Sequence, residues 1–393
     1  MKISSLHSVL TSNLFALHVR NVRPVATLRR CVGLIAASIG FTACTASEPV
    51  IDLKNFQSSL DVIRVNAKLP ALGAALVSSE GVQHLATTGI RKRGDKTPVT
   101  NDDLWHLGSD GKAMTATMVA RLVEKGQMKW EQMLGETFPE LAPKMSAEMK
   151  AITLTQLLSH RGGLDANFNL VNYVGKSDLM KARIEVIEEA AKSKLKSKPG
   201  EKHLYSNWGY VIAGAMAERA AGKSWEQLMR DEVFAPLNMK SAGFGGTGSV
   251  GNIDQPWPHT ANGKPAESNG PEMDNLPVMS PAGTIHMTLA DWGRFVAEHM
   301  RGAQGKSTFL KKETFAILQT PIANDYAMGW IAASRSWAGG MALNHAGDNT
   351  LNFALVWAAP QKDFAILVVT NQSGAFEVAD GVVGALIKAQ AAK

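Results

Sequence analysis

Ser109 and Lys112 stand three residues apart at the head of a helix-patterned stretch that runs to Lys125. At about 100° per residue, Ser109, Lys112, Ala113, Ala116, Val119, Ala120 and Val123 share one sector roughly 120° wide, whereas Thr117, Arg121, Glu124 and Lys125 point elsewhere. A lysine in line with small apolar residues is drawn out of water. Desolvation lowers the pKa of an amine, by as much as ~3–5 units when burial is complete. Lys112 is therefore a candidate proton acceptor for the neighbouring hydroxyl, and Ser109 a candidate nucleophile that needs no histidine base. A second Ser-x-x-Lys, Ser193–Lys196, lies in a basic run ending at Pro199-Gly200. That run reads as a frayed helix end and a turn, where lysines stay hydrated.

Two later segments carry further chemistry. Tyr205-Ser206-Asn207 falls between the Pro199-Gly200 turn and a helical pattern from Tyr210 to Ala221, and it is the only Tyr-x-Asn in a chain with four tyrosines. A phenol is a poor base in water, but beside an ammonium its phenolate is favoured and could take the Ser109 proton. Asn207 offers a donor and an acceptor to a substrate carbonyl or amide. His345-Ala346-Gly347-Asp348 precedes a strand pattern over Leu351–Ala358. A glycine at a strand's edge lets a substrate backbone approach, and the N–H that follows can point at a carbonyl oxygen. Each segment also fits ordinary structure: a capping serine, a tyrosine packing a helix entrance, a loop histidine. His106-Leu107-Gly108 and His160-Arg161-Gly162 share the His-x-Gly form.

The elements that must position these residues follow from periodicity. Leu53–Leu69 predicts an amphipathic helix, and Ala71–Ser78 and Val82–Thr88 two strands joined by a Ser-Glu-Gly turn. Helical patterns dominate from Ser109 to about Ala220, including Thr153–Ser159 capped by Thr153 and the Tyr210 segment ended by Gly222. Residues 238–283 are rich in Gly, Pro and Asn and predict loop. Strand patterns return at Tyr326–Ala332, Leu351–Ala358 and Phe364–Thr370, and a closing helix spans Phe376–Ala389. The expected class is α/β (α+β). One antiparallel sheet draws on about 70–90 and 325–371, flanked by helices, with a mainly helical region of about 105–290 inserted. Gly246–Gly251 matches a dinucleotide fingerprint by letter but has no helix pattern after it.

The formal charge of +6 is concentrated in a leader. The first 47 residues hold no acid and carry Lys2, Arg20, Arg23, Arg29 and Arg30; taking those five from 41 leaves 36 basic residues against 35 acidic. Nothing basic is left over for nucleic acid. Arg29-Arg30 precede an 11-residue apolar run, Cys31–Phe41, and then Thr42-Ala43-Cys44. That run is too short to span a bilayer and fits a signal peptide over 1–44, leaving 45–393 as the mature domain. Phe41–Cys44 resembles a bacterial lipoprotein box, which implies lipidation at Cys44, the only expected tie to a membrane. The expected location is the periplasm or a lipid anchor, with a mitochondrial presequence as the alternative. Both cysteines lie in this leader, so no disulfide is expected in the mature domain. No metal or cofactor is expected: no H-E-x-x-H occurs, and the ten histidines are scattered without ligand spacing.

Taken in order, Ser109-x-x-Lys112, Tyr205-x-Asn207 and His345-x-Gly347 resemble the three motifs of the serine β-lactamase-like superfamily: class C β-lactamases, D,D-carboxypeptidases and their family VIII-type esterase relatives. Leu107–Ala116, Ile152–Leu164, Pro281–Gly283, Met328–Trp330 and Phe364–Asn371 carry the same likeness over about residues 53–390. The resemblance implies that Ser109 forms an acyl-enzyme, that Lys112 and Tyr205 share the general-base work, and that Asn207 orients the substrate amide. It also implies an oxyanion hole from the backbone N–H groups of Ser109 and Asp348, beside the substrate-binding His345 and Gly347. The β-lactamases have lysine where this chain has His345, and a neutral imidazole binds a carboxylate less well. The expected substrate is a small ester or amide, including a D-amino-acid peptide. The rivals are a D,D-carboxypeptidase or β-lactamase and, from another class, a penicillin-binding-like sensor or binding module without turnover.

Overall fold

The computed structural model describes residues 49–391. The leader, with Cys31 and Cys44, lies outside the described residues. The chain enters through helix α1 (Phe56–Asn66) and forms the hairpin β1 (Ala71–Ser78) and β2 (Gly81–Gly89). A short strand β3 (Trp105–His106) leads into helix α2 (Gly111–Glu124). The helical region continues through α3 (Leu154–Leu158), α4 (Leu179–Ala191) and α5 (Asn207–Ala221), with shorter turns between. Strands β4 (Gly243–Phe244) and β5 (Ile285–Met287) flank a long loop ahead of helix α6 (Leu289–Ala303). Strands β6 (Ile331–Arg335), β7 (Gly340–Asp348), β8 (Phe353–Ala359) and β9 (Phe364–Thr370) then precede helix α7 (Phe376–Ala391).

Six strands form one antiparallel sheet in the order β2-β1-β9-β8-β7-β6. The two chain ends meet at β1 and β9, where Gly73 faces Val369 and Ala75 faces Leu367. Both strands are apolar on both faces because both faces are covered. Ala71, Ala75 and Val77 face the side where Trp292, Phe295 and Val296 of α6 pack. Leu72, Ala74 and Leu76 face Leu60 of α1 and Val382 and Leu386 of α7. The expected sheet from the chain ends with a helical insertion is therefore the observed architecture.

Several elements differ from the sequence expectation. β7 was not predicted, since Asn344, His345, Gly347 and Asp348 have little strand propensity; pairing with β6 and β8 on either side holds it extended. The strand expected at Tyr326–Ala332 begins only at Ile331, because Gly329 takes φ +79° and turns the chain against the α2 backbone. The small sheet of β3, β5 and β4 was also not predicted. Helix α2 is not amphipathic: every residue from Gly111 to Ala120 is buried. Thr117, expected to point away from the apolar sector, donates to the Ala113 carbonyl at 2.8 Å and meets His299 Nε2 at 3.0 Å. The helix is enclosed on all sides, and its buried hydroxyls and amine are satisfied by partners inside the protein. Among the described residues no helix is long and apolar enough to cross a membrane.

One ion cluster ties the helical region together. Arg183 of α4 is fully buried and pairs with Glu218 of α5 and with Glu226 beyond it, while also donating to the Pro277 and Val278 carbonyls. Arg183→Ala leaves the Glu218 carboxylate buried and unpaired, which is expected to cost about 3–5 kcal/mol. The measurement is the shift of the denaturant midpoint. A loss of less than about 1 kcal/mol would mean that the cluster contributes no more than an exposed pair.

Candidate active site

Ser109 lies not within α2 but in the tight turn Gly108–Asp110 that precedes it. Gly108 takes φ +51°, a left-handed conformation that favours glycine. The turn is pressed against the end of β7. A Cβ on Gly347 would fall 1.9 Å from the Leu107 carbonyl oxygen and 2.8 Å from the Ser109 nitrogen. The space expected to admit a substrate backbone at Gly347 is thus filled by the backbone that carries Ser109. The same packing sets the Asp348 nitrogen against Gly108, 2.9 Å from where a Cβ would stand. The Asp348 carboxylate faces away, accepting from Ser373 Oγ at 2.8 Å and the Gly374 N–H at 2.9 Å, and so anchors the strand end.

One helical turn on from Ser109, Lys112 is wholly buried. Its Nζ lies 2.9 Å from Ser109 Oγ and donates to the Ala282 carbonyl at 2.6 Å. Burial pushes its pKa from the ordinary value down to about 7, partly opposed by nearby Asp110. Burial thus favours an uncharged share of this amine at neutral pH, within hydrogen-bond reach of the serine hydroxyl.

Ser206 caps α5, its Oγ accepting from the Gly209 N–H at 3.2 Å, so α5 begins at Asn207 rather than at Tyr210. Tyr205, just before the cap, donates its hydroxyl to Ser109 Oγ at 2.8 Å. Its ring lies 4.9 Å from Lys112 Nζ, measured to the ring centre. Burial pushes the phenol well above its usual pKa, with only the Ser109 contact opposing. Burial therefore favours the protonated phenol over the phenolate expected from the motif, and favours the uncharged amine at Lys112. Asn207 donates through Nδ2 to Asn167 Oδ1 at 2.6 Å, which joins α5 to the 167–173 loop.

His345 lies inside β7 rather than in a loop ahead of a strand, and is 3% exposed. Its Nδ1 is 2.9 Å from the Ala346 carbonyl and its Nε2 is 3.4 Å from the Tyr326 hydroxyl. Burial, reinforced by Lys112, pushes its pKa down to about 3, so the ring is neutral. Both nitrogens are occupied.

Four further residues escaped the sequence reading. His160 Nε2 meets the Tyr326 hydroxyl at 3.1 Å, and its Nδ1 accepts the Ser206 N–H at 3.1 Å. Its ring packs on Tyr205 at 4.3 Å between centres and on Tyr210 at 5.2 Å. Three of the four tyrosines thus surround the site, and their scarcity was the one signal available. Asp110 is buried with neither carboxylate oxygen hydrogen-bonded among the described residues, and His345 Nδ1 lies 3.9 Å away. Burial raises the Asp110 pKa well above the usual carboxylate range, which favours the neutral acid.

The geometry thus brings Ser109, Lys112 and Tyr205 into direct contact, puts Gly347 and Asp348 against the serine turn, and holds His345 behind them. Comparison with known proteins points the same way. The family model described as Beta-lactamase matches residues 61–388. Penicillin-binding protein 4 of Amycolatopsis lactamdurans is 25% identical over 346 residues, which span 81% of this chain and 85% of that protein. A beta-lactamase of Escherichia coli strain K12 is 28% identical over 173 residues, 44% of this chain and 43% of its own length. The octameric penicillin-binding protein homologue from Pyrococcus abyssi superposes with a TM-score of 0.71 at 18% identity, covering 86% of this chain and 78% of that one. Because the family match runs from α1 through the helical region into α7, the chain belongs to the beta-lactamase family and is a serine hydrolase.

Proposed function

We propose that this hydrolase cleaves small esters or amides that carry no carboxylate beside the scissile bond. The observation that carries the reading is the double contact on one oxygen: Lys112 Nζ at 2.9 Å and Tyr205 OH at 2.8 Å from Ser109 Oγ. In this reading Ser109 Oγ attacks the carbonyl carbon as its proton passes to the neutral Lys112 amine. The oxyanion is held by the Ser109 and Asp348 N–H groups, each such donor typically worth ~3–4 kcal/mol. The proton then moves from Lys112 through Tyr205 to the departing alkoxide or amine, which leaves the acyl-enzyme. Water attacks the ester, gives its proton back along the same path, and releases the acid and free Ser109. Asn207 and Asn167 orient the substrate from the side.

The choice of a neutral substrate rests on His345. A cation at this place would pair with a substrate carboxylate, whereas an imidazole with pKa about 3 and both nitrogens engaged does not. A β-lactam or a D-Ala-D-Ala peptide, each bearing a carboxylate, is the second reading. It is supported by the relatives named as penicillin-binding protein and beta-lactamase. We also propose export through the 1–44 leader with lipidation at Cys44, supported by its charge and apolar pattern.

The test is a panel on the purified protein: p-nitrophenyl butyrate, a chromogenic cephalosporin and a D-Ala-D-Ala peptide. The ester is expected to turn over fastest, and Ser109→Ala to abolish that turnover with the fold intact. Faster cleavage of the cephalosporin or the peptide would favour the second reading, and stoichiometric acylation without product release would indicate a sensor. The pH profile follows from Lys112, whose ammonium cannot accept a proton and whose free amine can. kcat/KM is expected to rise with pH through about 7 and level off above it. A flat profile across that range would remove Lys112 as the base. Tyr205→Phe deletes the proton path while keeping the ring, and at least a ~10²-fold drop in kcat is expected; a loss of only a few-fold would leave proton delivery to Lys112 alone.

A further inference from the structure

Behind the serine turn lies a buried acid–imidazole pair that takes no part in the chemistry above. Asp274, in the loop ahead of β5, and His106 of β3 have side chains only 5% and 2% exposed, with His106 Nε2 2.9 Å from Asp274 Oδ1. The other ring nitrogen, Nδ1, accepts the backbone N–H of Gly108 at 3.1 Å. A ring that accepts at Nδ1 keeps its proton at Nε2, so Nε2–H donates to the carboxylate. Gly108 opens the turn that carries Ser109.

The same carboxylate grips a second element. Asn349 Nδ2 donates to Asp274 Oδ1 at 2.9 Å. Asn349 directly follows Asp348, and its Oδ1 accepts the N–H groups of Leu351 and Asn352 at 3.3 and 2.8 Å, which fixes the bend between β7 and β8. The loop bearing the acid is itself held in place: the Asn275 N–H donates to Asp274 Oδ1 at 2.6 Å, and Asn275 Nδ2 donates to the Gly283 carbonyl at 2.7 Å.

We propose that Asp274 is a positioning residue that sets the spacing of the Ser109 and Asp348 amides, acting through His106 on one and through Asn349 on the other. The inference rests on the acyl-enzyme reading and on those two amides as the oxyanion donors. Neither residue's own side chain links the serine turn to the end of β7. Ser109 spends its hydroxyl on chemistry, and Asp348 spends its carboxylate on Ser373 and Gly374. One buried acid reaching both backbones supplies the missing cross-link, much as a carboxylate orients the histidine of a catalytic triad, but here aimed at a backbone N–H. Because an oxyanion hole binds the tetrahedral oxygen more tightly than the ground-state carbonyl, a misplaced donor lowers kcat and leaves KM.

The experiment measures p-nitrophenyl butyrate kinetics, with kcat counted per Ser109 that reacts with a fluorophosphonate label, so that misfolded protein is left out. Asp274→Ala is expected to lower kcat at least ~10-fold, part of the ~10²–10³ that loss of a whole donor costs, with KM within about threefold. Asn349→Ala, which cuts one arm and spares the buried pair, is expected to lose several-fold in kcat. Added to Asp274→Ala it should cost less than about threefold more, since its partner is already gone. His106→Asn, which keeps an acceptor for the Gly108 N–H, is expected to recover part of what His106→Leu loses. If the parent protein takes label at Ser109 and hydrolyses the ester while Asp274→Ala turns over within threefold of it, or changes only KM, this inference fails alone. A parent that takes no label and shows no hydrolysis overturns the acyl-enzyme reading and this inference with it.

Discussion

The buried amine of Lys112 is the constraint around which the site is built. An ammonium taken fully out of water costs several kcal/mol, and the protein answers by lowering its pKa to about 7 rather than by pairing it with a carboxylate. Its partners are a hydroxyl and a carbonyl, neither of which fixes a charge. The surroundings follow suit. His345 and His160 are held neutral by burial, Asp110 is pushed toward its acid form, and the Tyr205 phenol keeps its proton. The Ser109, Lys112 and Tyr205 polar atoms thus meet in a site with little fixed charge.

That amine is useful only because two distant stretches of chain meet beside it. The serine turn enters from the helical region, and the end of β7 comes from the sheet. Gly347 lets the two backbones touch without an intervening side chain. Their contact presses the Ser109 turn against the Asp348 backbone, while Tyr205, just before the α5 cap, and Asn207, its first residue, come from a third direction. The sheet itself is continuous only because β1 pairs with β9, so the pairing of the chain ends holds the last strands in place against the helices.

Much of this was legible from residue types and spacing. The apolar runs 71–78 and 364–370 announce strands, and Thr153 and Gly222 mark helix ends by chemistry that does not depend on distant partners. Ser109, Lys112, Tyr205 and Asn207 stood out because their motifs fall in the order seen in a known family. The failures share a cause. β7 is a strand through its neighbours' hydrogen bonds, not its own propensities. The enclosure of α2 depends on what packs over its polar-looking face. His160, Tyr326, Asp110 and Asp274 carry no local signal, since their meaning lies in contacts such as the 166 positions separating His160 from Tyr326.

Alone, the amino-acid order determined the class of fold and the sheet from both chain ends, which rest on periodicity, a local property. It singled out the candidate reacting groups through the resemblance of the Ser109-x-x-Lys112, Tyr205-x-Asn207 and His345-x-Gly347 motifs to a known family. Only tertiary structure decided the ionisation of those groups, the direction of the Tyr205 hydrogen bond, and the use of Gly347 as a seat for the serine backbone rather than for substrate. Desolvation and contact across the chain settle such matters, and neither exists until the sheet and the helical region have closed on each other.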